Sequence, residues 1–128
     1  MDHTLLRVLV IDDCAALGRT IVRQLRLHDV TFVTSVRAAL ALLVTQGLRF
    51  DAILCDLHMP EMNGRDFFDV LSAVLPNEAK RVIFMTGDSA KPPFLAGIVN
   101  KCLEKPFSSD ALRAAIEGTS AGLTALAS

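Results

Sequence analysis

Runs of apolar and β-branched residues recur along the chain and predict buried strands. Clear runs occupy 5–11, 50–55 and 81–85, a weaker run occupies 30–34, and a short fifth candidate lies at 101–104. The runs are almost continuously apolar and do not alternate strictly between apolar and polar residues. This pattern is typical of parallel strands that are covered on both faces.

Segments with helical periodicity separate these runs. Each carries an apolar stripe at a spacing of three or four residues, and the last stripe follows two candidate capping residues, Ser108 and Ser109. Strands that alternate with helices predict a single doubly wound α/β domain of the (βα)₅ type with an open parallel sheet. The stripes are Leu17, Ile21 and Leu25; Val36, Leu40 and Leu43; Phe67, Leu71 and Val74; and Leu112, Ala115 and Ile116.

Two segments depart from this regular pattern. Pro92 and Pro93 interrupt the connection between the fourth and fifth strands, so we expect a shortened fourth helix around 94–99. The small, uncharged residues 119–128 could extend the last helix, fray or begin a linker. We therefore expect the domain to occupy 1–118 and the remainder to be a tail or the start of a linker.

The composition fits one soluble domain. The chain has 128 residues, of which 52% are hydrophobic, and its net charge of −1 comes from 13 basic and 14 acidic residues. This balance offers no general attraction to nucleic acid, so we expect no direct nucleic acid binding. The charge-free stretch between Arg37 and Arg49 is shorter than the roughly 20 residues of a spanning helix, so no membrane insertion is expected. No C-x-x-C spacing joins Cys14, Cys55 and Cys102, which fits a reducing cytoplasm.

Acidic residues follow two of the predicted strands. Asp12 and Asp13 come directly after the first strand, and Asp56 comes directly after the third. Because the carboxyl ends of parallel strands form the ligand-binding edge, these carboxylates should meet there and raise at least one carboxyl pKa. A helix cap would explain one of the three. A hard cation with oxygen ligands, such as Mg²⁺, explains all of them.

Two further polar residues follow the remaining strands. Thr86 follows the fourth strand and Lys105 follows the fifth. Each alone fits an ordinary turn residue or a solvated lysine. Together they supply a hydroxyl and an ammonium opposite the expected metal, which is the arrangement that phosphoryl transfer requires.

Four motifs carry a family resemblance that extends over residues 6–116. They are V-L-V-I-D-D at 8–13, C-D-L-H-M-P-E-M-N-G at 55–64, F-M-T-G at 84–87 and L-E-K-P-F at 103–107. In this order, and each at a predicted strand end, they closely resemble the receiver domain of two-component response regulators. The resemblance implies a flavodoxin-like fold with the strand order 2-1-3-4-5.

The resemblance also implies a metal-dependent phosphoacceptor. Asp56 would become an aspartyl phosphate, and Mg²⁺ would be held by Asp13, by Asp56 and by the backbone carbonyl of His58. Asp12 would hold the metal through water. The side chains of His58 and Asp88 would flank the path of the water that hydrolyses the phosphate.

Other positions receive roles from the same resemblance. Thr86 would bind the phosphoryl group and report its presence, and Lys105 would pair with a phosphoryl oxygen. The Lys105–Pro106 bond is expected to be cis, and Gly64 is expected to need a backbone conformation that other residues avoid.

The implied role is signalling. The domain would take its phosphoryl group from a phosphohistidine of a sensor histidine kinase or a histidine phosphotransfer protein, in the cytoplasm. It would then signal by a conformational change. It would catalyse its own phosphorylation and dephosphorylation without being a conventional enzyme. Both a stand-alone protein and a domain of a larger regulator or hybrid kinase fit the sequence.

The chain departs from the family pattern in two places. Receivers usually carry an aromatic residue three positions before the lysine, where this chain has Cys102. The segment from Thr86 to Lys105 is also compressed, and both features are similar to receivers attached to hybrid sensor kinases. We therefore expect the signal to pass through the loop at 86–93 and the residues Phe94 and Leu95.

Three alternative functions fit the sequence less well. A haloacid dehalogenase-type phosphohydrolase needs a second aspartate two residues after the nucleophile, where this chain has His58, and it also needs room for a cap domain. A Rossmann nucleotide-binding protein needs G-x-G-x-x-G, which is missing from residues 11–18. A degenerate receiver that binds partners without phosphorylation stays open as a lesser alternative.

Overall fold

The computed structural model describes residues 5–87 and 92–127, with side chains through residue 120. Five parallel strands form one sheet in the order β2-β1-β3-β4-β5, which confirms the predicted flavodoxin-like topology. The strands are β1 (Arg7–Ile11), β2 (Asp29–Val33), β3 (Ala52–Asp56), β4 (Val82–Thr86) and β5 (Cys102–Glu104).

Helices cover both faces of the sheet. A short helix that the periodicity did not predict, α4 (Pro76–Ala79), begins at a proline soon after the end of α3 (Gly64–Val74), and the missing N–H of a proline costs nothing at the first position of a helix. Helix α5 runs to Ala127, so the uncharged tail extends the last helix, and a domain boundary at 118 stays a prediction. The helices are α1 (Ala15–Gln24), α2 (Val36–Leu40, continued by a π-helical turn Ala41–Thr45), α3 (Gly64–Val74), α4 (Pro76–Ala79) and α5 (Ser109–Ala127).

The two faces of the sheet have separate cores. Alternate residues of each strand point to opposite faces, so Leu9 and Ile53 pack in one core while Val10 and Leu54 pack in the other. Helices α2 and α3 cover the first face, and α1 and α5 cover the second. This division is what a doubly wound domain requires.

The expected fourth helix is reduced further than predicted. The described part of this connection contains a single 3₁₀ turn, Pro93–Leu95, where we had expected a short helix at 94–99. The backbone leaves the helical region at Ala96 (φ −57°, ψ 134°), and Gly97 follows in the left-handed region at φ +83°. These conformations end the turn after three residues.

Strand ends also differ slightly from the prediction. Asp56 and Thr86 are the last residues of β3 and β4 and do not follow them, because they pair with Met85 and Glu104 of the neighbouring strands. At the other end, β1 begins at Arg7 and leaves out the two leucines before it.

Candidate functional site

The carboxyl ends of β1 and β3 bring three aspartates together. Asp12, Asp13 and Asp56 each place a carboxylate oxygen within 4.8 Å of the others. The parallel register pairs Ile11 with Cys55, so the residues that follow them lie side by side. Asp12 and Asp56 are buried, whereas Asp13 is exposed and leaves the cluster open to solvent.

Backbone donors orient the two buried carboxylates. The Cys14 N–H donates to Asp12 Oδ1 at 2.9 Å, and the His58 N–H donates to Asp56 Oδ1 at 3.3 Å. Each N–H group lies in the loop after its strand and binds one oxygen of the carboxylate. The Oδ2 atoms of both residues turn toward a common cation.

That cation is the ammonium of Lys105. Its Nζ lies 3.0 Å from Asp12 Oδ2 and 3.4 Å from Asp56 Oδ2, although Lys105 follows β5, which β4 separates from β3. The Lys105 N–H donates to the Thr86 carbonyl at 2.6 Å, which fixes the backbone next to the end of β4. The Lys105–Pro106 bond is cis, as predicted.

The environment shifts the pKa of both partners upward. Burial raises the pKa of the Asp56 carboxyl, attraction to Lys105 opposes the rise, and repulsion from Asp12 adds to it. Burial lowers the pKa of the Lys105 ammonium, but the hydrogen bond to Asp12 and the attraction to Asp56 outweigh burial and raise it. One carboxyl pKa is raised, as predicted, but its largest cause is burial, and repulsion from Asp12 contributes less.

Gly64 plays a different part from the one predicted. Its φ is not in the left-handed region, but a β-carbon there would lie 2.9 Å from the Asp56 carbonyl oxygen and 3.2 Å from Leu57 Cα. Close packing on the β3 backbone, and not an unusual conformation, thus requires glycine. The left-handed residue of this loop is Glu61, at φ +67°, for which the sequence held no signal.

The remaining predicted residues surround the cluster. Thr86 is buried at the end of β4, the His58 side chain is exposed at the rim, and Asp88 lies outside the described residues. Cys102, half-buried at the start of β5, pairs with Phe84 of β4. The roles given to these residues, and to the His58 carbonyl as a metal ligand, stay predictions.

The chemistry of the cluster suits a hard divalent cation. Its donors are three carboxylates from two adjacent strand ends, one of them open to water. Mg²⁺ is commonly bound by one or two carboxylates and retains several waters, so an open oxygen-only cluster fits it. The Cys55 thiol, on the residue before Asp56 in β3, is fully buried, and burial raises its pKa well above the usual range.

Comparison with known proteins agrees with this geometry. The family model for the response regulator receiver domain matches residues 8–117. A two-component response regulator of Arabidopsis thaliana, ARR2, is 34% identical over 113 residues, which are 84% of this chain and 17% of that protein. The transcriptional regulatory protein GlrR of Escherichia coli is 30% identical over 120 residues, or 91% of this chain and 27% of that protein.

Solved structures show the same fold. A response regulator receiver domain protein from Clostridium thermocellum superposes with a TM-score of 0.83 at 24% identity, covering 95% of this chain and 99% of that one. A CheY-like receiver domain protein from Methanospirillum hungatei gives 0.82 at 20% identity, with coverages of 94% and 98%. Within the described residues, no helix has the length and apolarity needed to cross a bilayer. With the family match spanning the sheet, the helices and the acidic cluster, the chain belongs to the response regulator receiver domain family.

Proposed function

We propose that the chain accepts a phosphoryl group on Asp56, in a Mg²⁺-dependent reaction, from a phosphohistidine of a sensor histidine kinase or a histidine phosphotransfer protein. The observation that carries the proposal is the convergence of Asp12, Asp13 and Asp56 with the ammonium of Lys105 at one edge of the sheet. The chain spans 17% and 27% of the length of the two curated relatives above. The kinase, the output and any further domains of a whole protein are therefore part of the proposal.

The acceptor step follows from the groups around Asp56. An Asp56 carboxylate oxygen forms a bond to phosphorus while the bond from phosphorus to the imidazole nitrogen breaks, and the bonding electron pair returns to the ring. The His58 N–H already donates to Oδ1, which supports attack by the other oxygen, Oδ2. Oδ2 is also the Asp56 oxygen that forms the ion pair with Lys105, at 3.4 Å from its Nζ.

The neighbouring groups stabilise the transferred charge. Lys105 is poised to pair with a phosphoryl oxygen, and the Thr86 hydroxyl at the end of β4 is the proposed hydrogen-bond donor. Asp13 and Asp56, with the His58 carbonyl, would hold Mg²⁺, and Asp12 would hold it through water. When bound, the metal would neutralise the carboxylates and the phosphoryl oxygens.

Mass spectrometry with a small phosphodonor tests the proposal. Acetyl phosphate with Mg²⁺ should add one phosphoryl mass to the protein, and Asp56→Asn should abolish the addition. Asp110→Asn, on the exposed start of α5, is the matched control and should label normally. Full labelling of Asp56→Asn would overturn the assignment of the acceptor.

A further inference from the structure

Arg65 connects two parts of the receiver that the chain keeps far apart in sequence. It is the second residue of α3, and its guanidinium donates through Nη1 to the carbonyl of Phe94 in the turn Pro93–Leu95. The Nε of the same guanidinium lies 2.9 Å from Asp69 Oδ1, one helical turn further along α3. A guanidinium has five donors in a rigid fork, so this side chain serves both acceptors at once.

The α3 end of this bridge is tied to the acceptor strand. The Gly64 N–H donates to the Leu57 carbonyl at 3.2 Å, and Gly64 packs directly against the Asp56 backbone. A capping box fixes the same helix start: the Asn63 side chain accepts from the Asp66 N–H at 2.9 Å, and the Asp66 side chain accepts from the Asn63 N–H. Arg65 therefore begins from a backbone whose position depends on Asp56.

The other end of the bridge is a segment with few anchors. The described backbone bonds of this turn are local. They run from the Leu95 N–H to Pro92, from the Ala96 N–H to Pro93 and from the Ile98 N–H to Leu95, each at 3.0 Å. Leu95 is fully buried in the core that α3 covers. Among the described residues, the bond from Arg65 is the hydrogen bond that joins this turn to another element.

We propose that Arg65 is a positioning residue that holds the turn Pro93–Leu95 against α3 in the unphosphorylated receiver, and that phosphorylation of Asp56 releases this bridge. The inference rests on the proposed function, because it concerns the response to phosphate at that site. The turn follows the strand that ends at Thr86, so a hydrogen bond from Thr86 to the phosphoryl group, as proposed above, would act on the segment that Arg65 holds. Arg65 thus opposes the change that the phosphoryl group drives.

Reciprocal coupling makes the proposal measurable. If the bridge stabilises the resting state over the activated one, its removal must strengthen the binding of a phosphoryl mimic by the same factor. We expect Arg65→Gln to bind beryllofluoride, in the presence of Mg²⁺, about three- to tenfold more tightly than the original protein. Isothermal titration gives this ratio directly.

A matched variant separates this coupling from a general effect of losing an arginine. Arg113 forms a similar helical ion pair with Asp110 on α5, away from the turn, so Arg113→Gln should leave the affinity for beryllofluoride unchanged. Hydrogen exchange gives a second readout. Amides at 94–98 in mimic-free Arg65→Gln should exchange as fast as those of the original protein with the mimic bound.

The outcomes distinguish the two proposals. Equal or weaker mimic affinity in Arg65→Gln, with Asp56-dependent binding in the original protein, overturns the bridge and leaves the acceptor role intact. If the original protein does not bind the mimic or is not labelled at Asp56, the acceptor role is wrong. The proposed role of Arg65 is then wrong as well, because it rests on the acceptor role. Unchanged exchange at 94–98 in mimic-free Arg65→Gln overturns the bridge whatever happens at Asp56.

Discussion

The ring of Phe32 on β2 lies over Gly18 of α1 and fills the space that a side chain at position 18 would need. A β-carbon added to Gly18 would overlap Phe32 Cζ. The helix and the edge strand can therefore pack closely, because residue 18 has no side chain. This contact packs α1 against the second core, and α1 is the helix that follows the loop with Asp12 and Asp13 in the chain.

Gly18→Ala should destabilise the protein despite the higher helix propensity of alanine. The clash with Phe32 forces the ring or the helix to move, and such overpacking costs about 1–3 kcal/mol. Chemical unfolding measures the loss in the free energy of unfolding. The cost of Gly18→Ala should shrink in a Phe32→Leu background, and an equal cost in both backgrounds would show that the ring is not responsible.

Magnesium should stabilise the folded protein. An ion bound by the folded state alone adds about 2.7 kcal/mol at a hundredfold excess over its Kd. The Tm should therefore rise with Mg²⁺ concentration, and the rise should vanish in Asp13→Ala. The matched variant Asp110→Ala should keep the full response, and a full response in Asp13→Ala would place the metal elsewhere.

The raised pKa of Asp56 predicts a specific pH dependence in metal-free protein. The folded state binds the Asp56 proton more tightly than the unfolded state, whose aspartates titrate near about 3.9. The contribution of Asp56 to stability therefore falls as the pH rises from that value through the raised folded pKa. Asp56→Asn removes the buried charge, so it should be more stable than the original protein at pH 7 without Mg²⁺.

This difference should disappear at low pH. Below both pKa values Asp56 is protonated in the folded and unfolded states. Asp56→Asn then removes no charge, so the variant is no longer more stable than the original protein for electrostatic reasons. Denaturation at a series of pH values in the presence of a chelator measures the trend. A stability gain in Asp56→Asn that stays constant down to pH 3 would contradict it.

Cys102 should contribute little to the response to phosphate. It is too small to act as the swinging aromatic of other receivers, and a thiol is a weak hydrogen-bond donor. Beryllofluoride should shift the amide signals of 87–97 strongly and those around Cys102 slightly. The shifts elsewhere should persist in Cys102→Ala, whereas their loss in a variant that still binds the mimic would mean that Cys102 does couple the site to the surface.

The features that the sequence predicted are those that depend on residues close together in the chain. Five apolar runs and the acids behind them predicted the sheet and the meeting of Asp12, Asp13 and Asp56. The contact of Phe32 with Gly18 and the bridge from Arg65 to Phe94 depend on residues brought together by the fold, so local patterns held no trace of them. The short helix α4 was not predicted because four residues are too few to show a helical periodicity. The left-handed conformation of Glu61 was not predicted because a single residue leaves no repeating pattern in the sequence.

The position of β3 has a consequence for how the protein could be observed. This strand is the middle one of five and has hydrogen-bonded neighbours on both sides, whereas β5 is an outer strand of three residues. The outer strand β2 pairs with β1 over five residues, whereas β5 pairs with β4 over three, so the β5 side of the sheet has fewer hydrogen-bonded restraints. A fluorescent reporter placed beside β2 should follow unfolding, and one placed on the turn Pro93–Leu95 should follow the response to a phosphoryl mimic.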